Sequence, residues 1–322
     1  MLSLSRRTSV GRGMLSLGIL VMAAAPLLAH GPEGADSSRL GGTSLWLSWT
    51  FPALVTVNLL LATSVYCIGV SRIWKKAGRG RVISVRQAGA FAGGLLILVL
   101  ALVSPIDALA DELSAVHMIQ HMLLMNVAAP LLVLGLPGMA LLWILPLEAR
   151  RKVGTWRRHV RPGRAIYYLL WQPLLLWCLY AAVLWVWHLP GLYLATLDHE
   201  LFHDFQHLTF LVVSCLFWRV LLDPVSRMRL SRVATVLYLF FTSLHATVLG
   251  VFMALAPKVW YPAYEGRTIA WNLTALEDQQ LAGLIMWMPA CMVYAIVVAL
   301  VVAFWLHTNS DESLPMVEGQ TG

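Results

Sequence analysis

The sequence predicts an all-α membrane protein, a bundle of seven transmembrane helices that follows an N-terminal signal segment. Two properties of the 322-residue chain lead to this prediction. Hydrophobic residues make up 59% of it and charged residues only 12%, too few to cover the surface of a soluble domain. The hydrophobic residues also fall into runs long enough to cross a hydrocarbon core of about 30 Å. The chain is therefore expected to lie in a lipid bilayer.

Residues 1–29 have the layout of a secretory signal peptide. Basic residues precede the apolar stretch Met14–Leu28, and Ala29 offers a cleavage position. Residues 30–45 then form a periplasmic N-terminal segment. If cleavage occurs, the free amine and imidazole of His30 become candidate copper ligands. An uncleaved anchor helix is the alternative.

Seven further apolar runs form the predicted membrane domain, residues 46–306. They are Trp46–Val70, Gln87–Val103, Ser114–Leu134, Ala165–Trp187, Leu201–Leu222, Val233–Ala256 and Gln279–Leu306. Pro130, Pro173 and Pro289 lie inside runs and predict kinks in the helices. Met139–Pro146 is too short to cross the bilayer and is predicted to be an interfacial turn.

The charges of the loops predict the orientation of the bundle. Ser71–Arg86 carries six Lys or Arg and no acid, and Leu147–Arg164 carries seven basic residues against one acid. Ser104–Leu113 is acidic and has no basic residue. By the positive-inside rule the basic loops face the cytoplasm, as does the tail, residues 307–322. This distribution also explains the net charge of +7 without a nucleic-acid partner.

The pattern H-x-x-Q-H occurs twice, each time at the start of an apolar run. The first copy contains His117 and His121, and the second contains His203 and His207. Histidines four residues apart lie on one face of a helix, about one turn apart, so both rings can reach one point beside it. The predicted orientation places both pairs at the outer ends of their helices. Equal spacing, depth and direction predict a shared metal or cofactor site.

Two other histidines are candidate ligands on weaker grounds. His188, in the turn Trp187–Pro190, reaches the same outer level as the two pairs. A lone interfacial histidine can equally be an amphipathic residue at the depth of the headgroups. His245 lies within the hydrocarbon region, where an ionisable side chain is costly and indicates a function. A hydrogen bond to a neighbouring helix is the ordinary alternative for His245.

Methionines influence the choice of metal. Met125 and Met286 are possible further ligands, and Asp278 is a candidate for orienting a ligating imidazole or for capping the seventh helix. Thioether and imidazole groups without a thiolate or carboxylate cluster suit Cu(I). Methionine is also a common filler of membrane helices. The four cysteines are isolated within apolar runs and indicate neither a disulfide nor a thiolate site.

Four segments of the chain occur in an order that is typical of one family. They are Ser104–Asp107 with His117–Gly135, Trp187–Pro190, His203–Pro224 and Asp278–Trp287. With these segments the chain, from about Trp46 to Leu306, resembles the multi-span CtaG-type cytochrome c oxidase assembly factors. Ala282 departs from the family pattern, in which we expect a glycine. The resemblance implies a bacterial inner-membrane protein that helps to mature a haem-copper oxidase, with the oxidase subunits as partners and copper as the metal handled.

Two other functions remain open at this point. A copper transporter would move ions past His245 to the cytoplasm, but the inner halves of the helices contain few polar residues. In a b-type cytochrome, His121 and His207 would ligate haem from opposite faces, which leaves the other member of each pair redundant. An enzyme is not predicted. The chain shows no nucleophile–base pair, and its H-x-x-x-H pairs lack the adjacent glutamate of a zinc protease.

Overall fold

The structure is a computed structural model that describes residues 48–159, 172–222 and 230–312. All regular secondary structure in these ranges is helical. The predicted all-α membrane class is therefore confirmed. The predicted signal segment, the N-terminal segment with His30, and residues 313–322 of the tail lie outside the described residues.

The α-helices of these ranges are numbered in chain order. They are α1 (Ala53–Ala77), α2 (Val85–Leu102), α3 (Pro105–Glu112), α4 (Ser114–Leu134), α5 (Pro137–Ile144), α6 (Leu147–His159), α7 (Pro173–Trp187), α8 (Pro190–Asp198), α9 (Glu200–Leu222), α10 (Arg232–Ala254) and α11 (Ala275–Glu312). Two short 3₁₀-helices, Pro262–Tyr264 and Thr268–Trp271, lie in the loop between α10 and α11.

Six of these helices are long and apolar enough to cross a membrane, namely α1, α2, α4, α9, α10 and most of α11. The helices α7 and α8 are bent by 71° at a short break and form a seventh span if they are taken together. The fourth predicted run began at Ala165, but residues 160–171 lie outside the described ranges. The described part of the chain thus contains six or seven spans, in agreement with the prediction.

The helix α4 lies at the centre of the bundle. It packs against α2, α3, α9 and α11. In both α4 and α9, 61% of the most apolar stretch is buried inside the protein, against 17% in α1 and in α11. The two helices that carry the H-x-x-Q-H pairs are therefore the most enclosed spans. His117 and His121 on α4 and His207 on α9 are buried by neighbouring helices.

The middle of α4 is not a regular α-helix. Leu123–Ala128 form a π-helical segment, and the Ala129 N–H donates to the Leu124 carbonyl oxygen, five residues earlier. Pro130 follows directly and has no N–H with which to continue this pattern. The Trp218 indole of α9 instead donates to the free Met125 carbonyl oxygen, at 2.8 Å. The helix thus contains a π-helical segment that α9 stabilises, and the predicted kink at Pro130 stays a prediction.

The prediction of an interfacial turn at Met139–Pro146 was wrong, because most of this segment is the helix α5. This helix packs against α1. The approach is close at Gly69, where a Cβ atom would lie 2.3 Å from the Ala140 carbonyl oxygen. Pro173 is the first residue of α7 rather than an interior residue, whereas Pro289 does lie inside α11.

Candidate metal site

Five histidines from α4, α9 and the turn before α8 form one cluster at one end of the bundle. The ring nitrogens of His117, His203 and His207 lie within 4.8 Å of one another. The ring of His121 lies 4.4 Å from that of His117 and 5.3 Å from that of His207, measured between centroids. His188 adds a fifth ring at 6.2 Å from His121. The structure therefore brings together both predicted pairs and His188.

Most of the cluster is buried, and some of its ring nitrogens are unpaired. His117 and His121 are 0% and 1% exposed. Within the described residues, four ring nitrogens of the cluster have no hydrogen-bond partner: His121 Nδ1, His188 Nε2, His203 Nε2 and His207 Nε2. Buried polar atoms normally have a partner, because an unpaired one costs about 1–3 kcal/mol. The unpaired nitrogens are therefore suited to hold a metal ion, and imidazole is a ligand for copper as well as for zinc, iron and nickel.

The proton of His188 can be assigned from its surroundings. His188 Nδ1 lies 2.7 Å from the Leu184 carbonyl oxygen, which can only accept a hydrogen bond. The Nδ1 atom must therefore carry the proton, and the lone pair of the neutral ring lies on Nε2. A hydrogen bond from one ring nitrogen to a carbonyl is the usual way in which proteins orient a metal-binding histidine. His188 is thus prepared to act as a ligand through Nε2.

Three buried tyrosines cover the cluster. The Tyr261 hydroxyl donates to the His188 carbonyl oxygen at 2.9 Å, and the Tyr264 hydroxyl donates to the Ala110 carbonyl oxygen at 3.2 Å. The Tyr264 hydroxyl also lies 3.5 Å from His117 Nδ1, and Tyr193 stacks on Tyr261 at 3.9 Å. We did not predict a role for these tyrosines. They lie on α8 and on the loop after α10, with no repeated spacing that would single them out.

Asp278 has a role that differs from both predicted ones. Its carboxylate accepts hydrogen bonds from the Ser114 N–H, the Ser114 hydroxyl and the Ala115 N–H, at 2.7, 2.6 and 3.1 Å. It therefore caps the start of α4 from the neighbouring helix α11. It neither caps its own helix nor contacts an imidazole through these bonds. The prediction for Asp278 is corrected accordingly, and the residue fixes the helix that carries His117.

Gln279 and Gln280, which form a D-Q-Q motif with Asp278, hold the loop between α10 and α11. The side-chain oxygen Oε1 of Gln279 accepts from the backbone N–H of Trp260 at 2.6 Å, and the Gln279 side-chain amide donates to the Lys258 carbonyl oxygen at 3.3 Å. The Gln280 amide donates to the Ala256 carbonyl oxygen at 3.4 Å. The motif thus links the start of α11 both to α4 and to the loop that bears Tyr261.

Gln120, the glutamine of the first H-x-x-Q-H motif, connects neighbouring helices. The Gln120 amide donates to the Ala101 carbonyl oxygen at 2.7 Å and to the Asp107 carboxylate at 2.8 Å. Thr50 donates to the other oxygen of Asp107. Burial raises the pKa of the Asp107 carboxyl, and the hydrogen bonds from Thr50 and Gln120 partly oppose this rise. Gln120 therefore joins α4 to α2 and α3.

The remaining candidate ligands are His245, Met125 and Met286. His245 contacts Trp177 and Tyr180, at centroid distances of 5.4 and 6.2 Å, rather than a ring of the cluster. Met125 and Met286 are both buried in the bundle. Their role as copper ligands stays a prediction, as does that of His245.

The model of one protein family matches most of the chain. The family is described as cytochrome c oxidase caa3 assembly factor (Caa3_CtaG), and the match covers residues 64–308. The chain belongs to this family. The match includes all five histidines of the cluster and the D-Q-Q motif, so these residues lie within the family domain. The predicted resemblance is confirmed.

Similar proteins occur in mycobacteria. The chain is 26% identical over 270 residues to uncharacterized proteins of Mycobacterium bovis and Mycobacterium tuberculosis, and 24% identical to one of Mycobacterium leprae. In each case the alignment covers 81% of this chain but only 40% of the relative. This chain thus spans less than half the length of the curated relatives that it matches. No solved structure matches the chain.

Proposed function

We propose that this assembly factor binds Cu(I) at the histidine cluster and supplies it to a haem-copper oxidase during maturation. The observation that carries the proposal is the convergence of His117, His203 and His207, whose ring nitrogens lie within 4.8 Å of one another. Imidazole is a suitable ligand for copper, and the three rings come from two helices that neighbouring spans hold in place. His121 and His188 lie beside the triad as further donors.

Acidic residues support the proposal, because they surround the end of the bundle where the cluster lies. Asp107 on α3 and Glu200 and Asp204 in the first two turns of α9 lie at this end. A region of one charge sign raises the local concentration of counter-ions. Copper ions are therefore expected to collect at this end. The loop charges favour a periplasmic position for it, the side from which the proposed delivery takes place.

The first prediction tests copper binding directly. We expect the purified full chain to bind Cu(I), and His203→Ala/His207→Ala to lose most of the bound copper, because the triad keeps only one of its three rings. Copper content is measured under reducing conditions in competition with a chromophoric chelator, together with a visible spectrum. An undiminished copper content in the double variant would contradict the site assignment.

The matched control is His245→Ala. This histidine is also in a membrane span, but its ring contacts are aromatic and not to the cluster. The variant should keep the full copper content if the triad is the site. A loss equal to that of His203→Ala/His207→Ala would show that the triad alone does not hold the metal. A Soret band in the untreated protein would favour the cytochrome alternative.

A further inference from the structure

A cavity of about 350 Å³ lies between α1, α2, α4 and α9, next to the histidine cluster. Half of its 20 lining residues are leucines, contributed by these four helices. Three lining residues carry strongly polar groups: Asn58, Asp204 and His207. The assembly of an oxidase does not by itself require such a cavity, so it calls for a separate explanation.

The polar and apolar parts of the cavity are separated along the membrane normal. Asn58 and Asp204 lie within the first two turns of α1 and α9, at the end of the bundle that carries the histidines. Cys215 lies 11 residues beyond Asp204 on α9, or about 16 Å further into the membrane, and it also lines the cavity. A ligand that fits both parts is an amphiphile, with its head near Asn58 and its chain directed inward.

The polar end of the cavity requires a head group that donates hydrogen bonds. The Asn58 side-chain oxygen is buried and has no partner among the described residues. A carbonyl oxygen can only accept a hydrogen bond. The hydrocarbon chain of a lipid has no donor to offer. The cavity therefore favours a ligand whose head carries a hydrogen-bond donor, such as a hydroxyl group, near Asn58.

An aromatic side chain at the polar end narrows the choice further. Phe205 lines the cavity and directly follows Asp204 on α9. An aromatic side chain packs well against a flat ring. We propose that the cavity binds a membrane quinol, with a hydroxyl group donating to the Asn58 side-chain oxygen and the hydrocarbon chain lying along the leucine walls. This proposal does not rest on copper binding.

The proposal makes the redox state of the ligand decisive. A quinol carries hydroxyl donors, whereas the corresponding quinone carries only acceptors. We expect a decyl-substituted benzoquinol to bind at least about tenfold more tightly than the quinone of the same skeleton, the ratio that one lost hydrogen bond of about 1.4 kcal/mol produces. Binding of the labelled compound is measured with the full, metal-free chain in lipid nanodiscs, against nanodiscs without protein.

Two kinds of variant test the position of the site. Asn58→Leu should remove the preference for quinol over quinone. Leu95→Trp should reduce binding of both compounds at least tenfold, because Leu95 lines the cavity. The matched control is Leu96→Trp on the same helix, where the side chain is 58% exposed on the outer surface of the bundle. This control should bind the quinol as the unchanged chain does.

Three results would overturn the proposal. They are binding no greater than to empty nanodiscs, equal binding of quinol and quinone, and an equal loss in Leu95→Trp and Leu96→Trp. Because the protein is metal-free, each result is independent of the copper measurements above. If quinol does not bind, the proposed copper site still stands. If copper does not bind, the proposal for the cavity still stands.

Discussion

His117 and His121 bring their Nε2 atoms to 2.9 Å. At this distance one nitrogen carries a proton and the other contributes a lone pair. Coordination of one metal ion by both Nε2 atoms needs two lone pairs, so the proton would have to move from Nε2 to Nδ1 of its own ring. His188 needs no such change, because its proton already lies on Nδ1 and is donated to Leu184. The members of the cluster thus differ in how readily they can act as ligands.

The second prediction concerns Asp278. In Asp278→Ala, the Ser114 and Ala115 N–H groups at the start of α4 lose their buried acceptor. Hydrogen bonds to a charged group contribute about 1.5–3 kcal/mol. We therefore expect a clear fall in the unfolding temperature of the detergent-solubilised protein, measured by scanning fluorimetry. Copper affinity should fall with it, because α4 positions His117 and His121.

The control for this prediction is Glu265→Ala. Glu265 is an exposed acid in the loop between α10 and α11. Its replacement removes one negative charge near the same end of the bundle but leaves the start of α4 capped. The unfolding temperature should stay close to that of the unchanged chain. If the two variants behave alike, the capping role of Asp278 is wrong.

The residue positions show why part of the site could be predicted from sequence. The convergence of each histidine pair depends only on the helical period, which places residues four apart on one face. Asp278 and Ser114, in contrast, are 164 residues apart and meet only through the packing of α11 on α4. No spacing in the sequence encodes that contact. The same holds for Tyr264, which reaches the cluster from a loop.

At the scale of elements, the π-helical segment of α4 depends on a second helix. Pro130 cannot donate to the Met125 carbonyl oxygen, and the Trp218 indole of α9 takes its place. The π-helical segment begins two residues after His121. Such segments are often found at functional sites, where they change the direction of the side chains that follow. The contact therefore couples the geometry of α4 to its packing against α9.

The third prediction tests this coupling by a double-mutant cycle. Trp218→Phe leaves the Met125 carbonyl oxygen unpaired and should cost about 1–3 kcal/mol of unfolding free energy. Pro130→Ala restores a backbone N–H, so Trp218→Phe should cost less in that background. Unfolding is followed for the four combinations of the two changes. Contacting groups typically give coupling energies of about 0.5–3 kcal/mol.

Trp185→Phe on α7 is the control for the cycle. Trp185 packs against Phe252 of α10, away from Pro130. Trp185→Phe should lower the unfolding free energy by the same amount with and without Pro130→Ala. If Trp218→Phe also lowers the unfolding free energy by the same amount with and without Pro130→Ala, the indole does not replace the missing backbone N–H.

The spans themselves could be predicted because each rests on a long apolar run. The segment Met139–Pro146 could not, since a length of eight residues does not distinguish a turn from a short helix. Its helical state as α5 is stabilised by contact with α1, where Gly69 allows the backbones to approach. A similar contact joins α10 to α11, where a Cβ atom on Gly283 would lie 2.5 Å from the Gly250 carbonyl oxygen. Such tertiary contacts override local preference.

At the scale of the whole molecule, the orientation of the bundle decides which compartment the cluster faces. Both α4 and α9 begin with their histidine pairs, so the two helices run in the same direction through the membrane. The last turn of α1 carries Lys75 and Lys76 at the opposite end. Basic residues are retained on the cytoplasmic side, which places the histidine cluster toward the periplasm in the proposed arrangement.

The fourth prediction tests this orientation with a reporter enzyme that is active only in the periplasm. A fusion after Asp198, at the end of α8, should be active, because α8 lies at the histidine end. A fusion after Lys76 should be inactive, because it leaves the reporter in the cytoplasm. The reverse pattern would place the cluster in the cytoplasm and remove the proposed route of copper to the oxidase from outside.

The last prediction separates an assembly factor that supplies copper from a transporter and from a cytochrome. A strain that lacks the protein should retain the oxidase polypeptides and their haem but contain an incomplete copper centre. Excess copper in the medium should partly restore oxidase activity, because mass action fills a site that otherwise depends on delivery at low free copper. Loss of a transporter would instead change the total copper of the cell, and loss of a cytochrome would remove a haem absorption that copper does not restore. Reintroduced His245→Ala should support the oxidase, whereas His203→Ala/His207→Ala should not. Normal oxidase activity in the deletion strain at limiting copper would contradict the proposed function.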